Sequence, residues 1–305
     1  MRSTLKWIGI GIGGLAAIVV LAVVALYVSA TWRLNKSYTI VPETVHIETD
    51  TASLERGERL TAVYCIECHA EDLGGKPFFD DPALGRVPGA NLTAGQGGIG
   101  RFYEDKDWVQ AIRHGLAADG RPLLIMPSAD YYYLSDQDLS DIIAYVKNVP
   151  PVDRIGASSI VRPVGRILLG AGVLSSLLNA EEIDHQAARP AAPEPGVTVA
   201  YGAYLVKPGG CLACHGADLA GARSPDPASP PAPNLTRGGH LTEWTEADFI
   251  TALRTGATPD GHGIEARWMP WPGMANYTDE ELKAIWLYIQ SLPPTASHVP
   301  EEHEE

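Results

Sequence analysis

The sequence holds only four cysteines among 305 residues, and all fall in two short clusters, Cys65-Ile66-Glu67-Cys68-His69 and Cys211-Leu212-Ala213-Cys214-His215. None is left over to staple loops, which excludes the disulfide framework of a small secreted fold. Basic residues are also short: 23 Lys and Arg stand against 37 Asp and Glu, a net charge of −14. That balance excludes nucleic acid as a partner, because phosphates require a basic surface. An acidic surface instead steers a basic protein partner or serves solubility. No clear alternation of apolar and polar residues marks a strand, so the expected class is mainly α with long loops. Methionine is as scarce as cysteine, four in all with Met1 counted, which makes the other three worth following.

The length suits two modest domains. An uncharged, mostly apolar run extends from Trp7 to Trp32. A bilayer core takes about 20 apolar residues and a signal-peptide core about 7–15. Length therefore favours a retained transmembrane anchor over residues 1–33. Val28-Ser29-Ala30 resembles a small-residue cleavage site and keeps a cleaved signal peptide as the rival reading. Arg2 and Lys6 favour a cytoplasmic N-terminus, but Arg33 and Lys36 flank the other end, so charge alone orients the run weakly. Residues 34–50 read as a short polar stalk.

Beyond the stalk the chain repeats itself. Residues 51–151 contain CIECHAEDLGG, PGANLTAG, WVQAIRHG, IMP and LSDQDLSDIIAYVKNVPP; residues 196–295 contain CLACHGADLAG, PAPNLTRG, FITALRTG, WMP and YTDEELKAIWLYIQSLPP. Five matched blocks in one order at nearly constant offset indicate a duplicated domain. Ser135-x-x-Asp138 and Thr278-x-x-Glu281 are capping-box signals. Leu139, Ile142, Ile143 and Val146 follow helical spacing, as do Leu282, Ile285, Trp286 and Ile289, and Pro150-Pro151 and Pro293-Pro294 stop both helices. An earlier helix in each copy, carrying Trp108 or Phe249, ends at Gly115 or Gly256. Between the copies, residues 152–195 combine a Leu-rich piece with a stiff Pro/Ala-rich linker; a membrane role is open to the Leu-rich piece, but it is too short and glycine-broken to span, which favours packing between the domains. Residues 296–305 form an acidic tail.

Cys-x-x-Cys-His is the attachment motif of c-type haem. On one helical turn, positions i and i+3 share a face, so two thiols can add across the vinyl edges of one porphyrin while the adjoining histidine aims at iron. Zinc knuckles and redox dithiols also use CxxC. A single Cys₄ zinc site, however, leaves His69 and His215 unemployed and spaces its knuckles by a whole domain, and a redox dithiol wants a βαβ context that is missing. Two covalently bound haems c, with iron on His69 and His215, are the expected cofactors.

A second axial ligand should recur in both copies. Nine residues before the capping Ser135 stands Met126-Pro127, and nine before Thr278 stands Met269-Pro270. Proline disfavours α conformation in the residue before it, so each methionine is expected in an extended loop able to cross a haem face. Core filling is the usual fate of methionine. Met126 is nonetheless the only methionine of its unit, which favours ligation. Met274 has no methionine counterpart and reads as packing near the porphyrin edge.

With these motifs the chain resembles the membrane-anchored dihaem class I cytochromes c. The resemblance covers both repeats and rests on CxxCH, Asn91-Leu92-Thr93, Asn234-Leu235-Thr236 and Met-Pro. It implies a small helical domain per haem, six-coordinate His/Met iron, no substrate chemistry of its own, and partners such as a periplasmic dehydrogenase, a quinol-oxidising complex, an oxidase or a soluble cytochrome. It also implies that the carbonyls of Ala90 and Pro233 accept the second ring proton of the ligand histidines; proline is usual there, so Ala90 departs from the pattern. Haem attachment in such proteins occurs on the outer face of the energy-coupling membrane, which places both haem domains on the periplasmic side. Arg113 and Arg254 are expected either to neutralise haem propionates or to complement a helix dipole. His114, His240 and His262 compete as ligands, but His114 is matched by Thr255 in the other copy, and His240 in a Gly-rich loop and His262 in a DGHG turn are expected at the surface. The expected role is a one-electron carrier; the enzymatic alternative is a dihaem peroxidase with one exchangeable axial ligand.

Overall fold

The computed structural model describes residues 2–224 and 228–299. Helix α1, Arg2–Asn35, is the long apolar segment. The first unit follows with α2 Thr51–Tyr64, α3 Ile66–His69, α4 Asp105–His114, α5 Ser128–Tyr131 and α6 Asp136–Asn148. The interdomain stretch contains α7 Pro163–Gly170 and a kinked 3₁₀ segment, Ser175–Glu182. The second unit repeats the first as α8 Val199–Val206, α9 Cys211–His215, α10 Glu246–Thr255, α11 Trp271–Met274 and α12 Asp279–Ser291. Among the described residues, three short strands, β1 Phe79–Asp81, β2 Gly85–Val87 and β3 Ile160–Val161, make one antiparallel sheet in the order β1-β2-β3. Strands of two or three residues are too short for alternation to register in sequence, which is why the residue pattern shows none.

Each unit is built on the crossing of its first and last helices, α2 on α6 and α8 on α12. Asp50 caps α2 by accepting from the Ala52 and Ser53 amides. Thr278 and Glu281 form a reciprocal capping box on α12. On α6 only half of the expected box exists. Ser135 Oγ accepts from the Asp138 amide, but the Ser135 amide donates to Tyr204 Oη of the other unit at 2.9 Å. The Asp138 carboxylate is drawn instead to Arg56 and to the Tyr204 hydroxyl. Arg59 meets Glu281 across the same junction at 2.6 Å, so the capping acids of both last helices also join the units.

The expected stalk over 34–50 is no free spacer. The Tyr38 amide donates to Gly120 O, the Glu48 amide to Ser140 Oγ, and Val45 is buried in the first core. Residues 152–195 likewise wrap the first unit rather than bridging open space. Arg154 pairs with Asp72, β3 joins the sheet, and Tyr132 Oη donates to Ala187 O. The Leu-rich piece packs on α1 and the first unit, not between the units. Of the acidic tail, His298 donates its amide to Ala220 O and Val299 is buried; residues 300–305 lie outside the described residues.

Glu43 is the strongest of the anchors within 34–50. It receives Arg113 Nη1 at 2.7 Å, His114 Nε2 at 3.0 Å and Arg189 Nε at 3.0 Å. Burial pushes its pKa upward, but the His114 bond and the two guanidiniums outweigh that and hold it at about 2. A carboxylate with a depressed folded pKa contributes stability that is present above its unfolded value and lost as pH falls through the folded one. Thermal unfolding should therefore show Glu43→Gln less stable near neutrality by about 1–2 kcal/mol once solvent screening is allowed for. That deficit should shrink as pH falls from about 4.5 toward about 2.

Candidate haem sites

Each CxxCH cluster forms one helical turn, Ile66–His69 after Cys65 and Cys211–His215. The backbone after each histidine folds back identically. The Gly75 amide donates to His69 O and the Gly221 amide to His215 O, both at 2.9 Å. The chain then crosses to the Asn-Leu-Thr block, where the Leu92 and Leu235 amides donate to Leu73 O and Leu219 O at 2.8 Å.

That block presents the carbonyl behind the histidine. His69 Nδ1 donates to Ala90 O and His215 Nδ1 to Pro233 O, both at 2.8 Å. The loss of the usual proline at position 90 leaves the bond intact because the acceptor is backbone. Burial lowers the pKa of both imidazoles against the smaller opposing effect of these bonds, so both rings are neutral near pH 7, with Nδ1–H committed and Nε2 carrying its lone pair. That is the tautomer a metal ligand requires.

The asparagines of the two blocks are structural parts whose role residue order does not reveal. Asn91 Oδ1 accepts from the Thr93 amide and hydroxyl while its Nδ2 donates to Val152 O at 2.7 Å. Asn234 repeats this with Thr236 and Thr295 O at 2.8 Å. Each therefore clamps the histidine-bracing loop to the segment after the last helix. Asn234→Ala should cost about 2–4 kcal/mol in thermal unfolding, since it strands buried groups of Thr236.

The methionine loops match in detail. Pro127 has φ −80° and ψ 54°, and Pro270 has φ −77° and ψ 52°. The amide after each proline returns to the methionine carbonyl, Ser128 N to Met126 O at 2.8 Å and Trp271 N to Met269 O at 2.7 Å. Each is an inverse γ-turn centred on proline. Each methionine loop thus closes in a tight turn at the proline, which starts α5 or α11. Met126 and Cys65 line one apolar cavity with Tyr64, Ile112, Tyr131, Leu134 and Ile142. Met269 and Cys211 pack on one core. Met274 is buried inside that second core and, counted from the methionine loops, occupies the position that Tyr131 holds in the first unit.

Both arginines stand in the last turn of their helices, where the dipole reading expects them, and both also make specific bonds. Arg113 is wholly buried and donates to Glu43, Leu134 O and Asp136. Arg254 donates to Ala275 O and Asp279. Both guanidiniums are engaged in bracing the start of the last helix beneath the methionine loop. His114 is equally committed, with Nε2 on Glu43 and Nδ1 against His185 Nδ1 at 3.0 Å. His240 and His262 are exposed, and His262 Nδ1 bonds Asp260.

The two sites meet at three tyrosines. Tyr64 lies 5.9 Å from Tyr131 and 6.1 Å from Tyr277, ring centre to ring centre. Tyr131 Oη donates to Tyr64 O at 2.7 Å, and Tyr277 Oη to Tyr64 Oη at 3.2 Å. Burial raises all three phenols well above their ordinary range. Repeat logic cannot find this junction, because the positions matching Tyr64, Tyr131 and Tyr277 are Gly210, Met274 and Leu134.

The donor set fits covalent haem. Burial pushes Cys65 and Cys211 up to about 12 and Cys68 to about 11, so these thiols stand neutral against apolar surroundings. Among the described residues, no three His, Cys, Asp or Glu side chains gather as a metal site, so the four thiols do not form one zinc tetrahedron. Paired thiols on a helical turn, beside a neutral histidine braced from behind, define the class of c-type haem proteins. The chain belongs to the cytochrome c family, whose profile matches residues 54–150 and 199–293. It is 30% identical over 279 residues to the gluconate 2-dehydrogenase cytochrome c subunit of Pantoea cypripedii, covering 80% of this chain and 60% of that protein. It is 27% identical over 278 residues to the alcohol dehydrogenase (quinone) cytochrome c subunit of Gluconacetobacter polyoxogenes, covering 81% and 57%. It is 26% identical over 275 residues to a dihaem cytochrome c of Cereibacter sphaeroides, covering 80% and 87%. The chain thus spans little more than half the length of the dehydrogenase subunits it resembles. The first two of these relatives are the cytochrome c subunits of dehydrogenases.

Proposed function

We propose that the chain is a membrane-tethered dihaem electron carrier serving a dehydrogenase at the outer face of the membrane and passing electrons on to a cytochrome, an oxidase or another membrane acceptor. Cys65 and Cys68 hold the first porphyrin and Cys211 and Cys214 the second. His69 with Met126, and His215 with Met269, would hold the two irons. Held by these residues, haem would supply one-electron redox chemistry. The residues fix this arrangement before any electron moves. Ala90 O and Pro233 O hold the imidazoles in one tautomer, and the proline-centred turns hold the thioethers. The carrying observation is that brace and turn recur with the same geometry in both units. Tyr64, Tyr131 and Tyr277 close the junction between the two sites to water and give it a continuous packed path.

The tether reading draws on how α1 joins the body. Ala30 is wholly buried against Leu169 and Leu178, and Arg33 bonds Glu181. Cleavage at the small-residue site would remove that buried alanine. The relatives' roles support a dehydrogenase as donor, and the acidic surface suits a basic docking face.

Pyridine haemochrome on protein extracted with acid–acetone should give two haems per chain; one or none would refute the assignment. Exposure of the reduced native protein to carbon monoxide should leave its spectrum unchanged. Rapid adduct formation would mean an open iron.

A further inference from the structure

Helix α7 and the Ser175–Glu182 segment are bent 52° at the break between them, and their contacts show the chain going out and back along the outer end of α1: Gly170 lies at Leu26, Leu178 packs with Ala30, and Glu181 pairs with Arg33. The contacts of this hairpin fix its depth. Arg166 donates to Thr31 Oγ1 at 2.9 Å and lies over the Tyr27 ring. Gly170 approaches so closely that an added Cβ would stand 2.2 Å from Leu26 O. Arg33 reaches Leu169 O at 2.8 Å and pairs with Glu181 on the other leg. Between Arg166 and Glu181 no residue carries a charge, and the turn at Ala171, Gly172 and Val173 is exposed, Val173 by 56%.

The length of α1 decides where that turn sits. A hydrocarbon core takes about 20 helical residues. If it starts as early as Trp7, directly after Lys6, it ends near Leu26, level with Gly170. Any later start or any tilt puts the turn deeper. Charges lie at the rim, with Arg162 and Arg166 on one leg and Glu181 and Glu182 on the other, where long basic side chains reach headgroups.

We infer that residues 163–178 are a re-entrant hairpin inserted into the headgroup–acyl boundary of the outer leaflet, seating the first unit on the bilayer beside its anchor. The occupant of the exposed face is lipid, because the face continues the surface of α1, whose most apolar stretch is wholly unburied by protein. Insertion of an apolar turn about 5–10 Å into the boundary is the ordinary depth for such elements. The rising leg also carries the first methionine loop: the Ile125 amide donates to Leu177 O at 3.0 Å and the Ala129 amide to Asn179 Oδ1 at 3.3 Å. The hairpin therefore sets the orientation of that site relative to the membrane. This inference rests on the tether reading, not on the haem assignment.

The test uses full-length holoprotein in vesicles doped with a phosphatidylcholine bearing an acyl-chain diazirine. After irradiation, trypsin and glutamyl endopeptidase together release Trp7–Arg33 and Ile167–Glu181 separately. Both peptides should carry lipid, and Val173→Asp should cut labelling of Ile167–Glu181 at least fivefold while sparing Trp7–Arg33. Lipid on Trp7–Arg33 with none on Ile167–Glu181, or labelling indifferent to V173D, overturns the hairpin and leaves the tether standing. Absence of lipid from both peptides removes the tether as well.

Discussion

Met269→Ala should abolish one of two low-spin signals, leave the other intact, and lower the midpoint potential of the altered site by on the order of 100 mV or more. Axial ligands set haem potentials across ~0.8 V, and methionine stands toward the high end for c-type sites. Met126→Ala should do the same to the other site. The two effects should add independently, because the methionines lie in separate cores, Met126 with the first and Met269 with the second. Met274 makes the Met269 result a sharp one. It is buried among Leu282, Ile285 and Tyr277, so Met274→Leu, a volume-conserving exchange, should change stability by less than about 1.5 kcal/mol and leave both potentials in place. If M274L instead moved a potential while M269A did not, the ligand assignment in the second unit would be reversed. Spectroelectrochemical titration of the three variants decides between these outcomes.

Gly57→Ala and Gly202→Ala should each destabilise the protein by about 3 kcal/mol or more. In α2, a Cβ on Gly57 would lie 2.0 Å from Asp141 O of α6; in α8, one on Gly202 would lie 1.9 Å from Ala284 O of α12. The obstacle in both cases is helix backbone, which cannot rotate away as a side chain can. The helices must separate, and the CxxCH turn that follows α2 or α8 moves with them. Stability and haem retention should therefore fall together. Chemical denaturation would check the first and haem content the second; an alanine accepted without loss at either position would mean that the helices do not cross this closely.

Much of this is readable from residue order. The repeat blocks mark both units, helical spacing marks α4, α6, α10 and α12, and the CxxCH and Met-Pro pairs mark the residues proposed to hold haem. What escapes is of two kinds. The clamp of Asn91 and Asn234 joins residues about 60 apart, Asn91 to Val152 and Asn234 to Thr295, so its meaning is visible only once the loop and the chain end are brought together. The tyrosine junction and the Glu43 network escape for the opposite reason: they break the repeat. Tyr64 faces a glycine equivalent, and Glu43 lies in a stretch whose polarity resembles a stalk because its charges are satisfied by Arg113, His114 and Arg189 rather than by water. The hairpin at 163–178 is too short to span, as its length implies, but nothing local reveals that α1 lies beside it, so its apolar residues read as packing between the domains.

The most direct measurement is the sulfur-to-iron charge-transfer absorption of the ferric protein, quantified against total haem from the pyridine haemochrome of the same sample. Two haems per chain, each with its full methionine band and each band lost separately in Met126→Ala and Met269→Ala, is the predicted result. Two haems with a band for only one, or a band that survives either substitution, would contradict an iron held between histidine and methionine in each half.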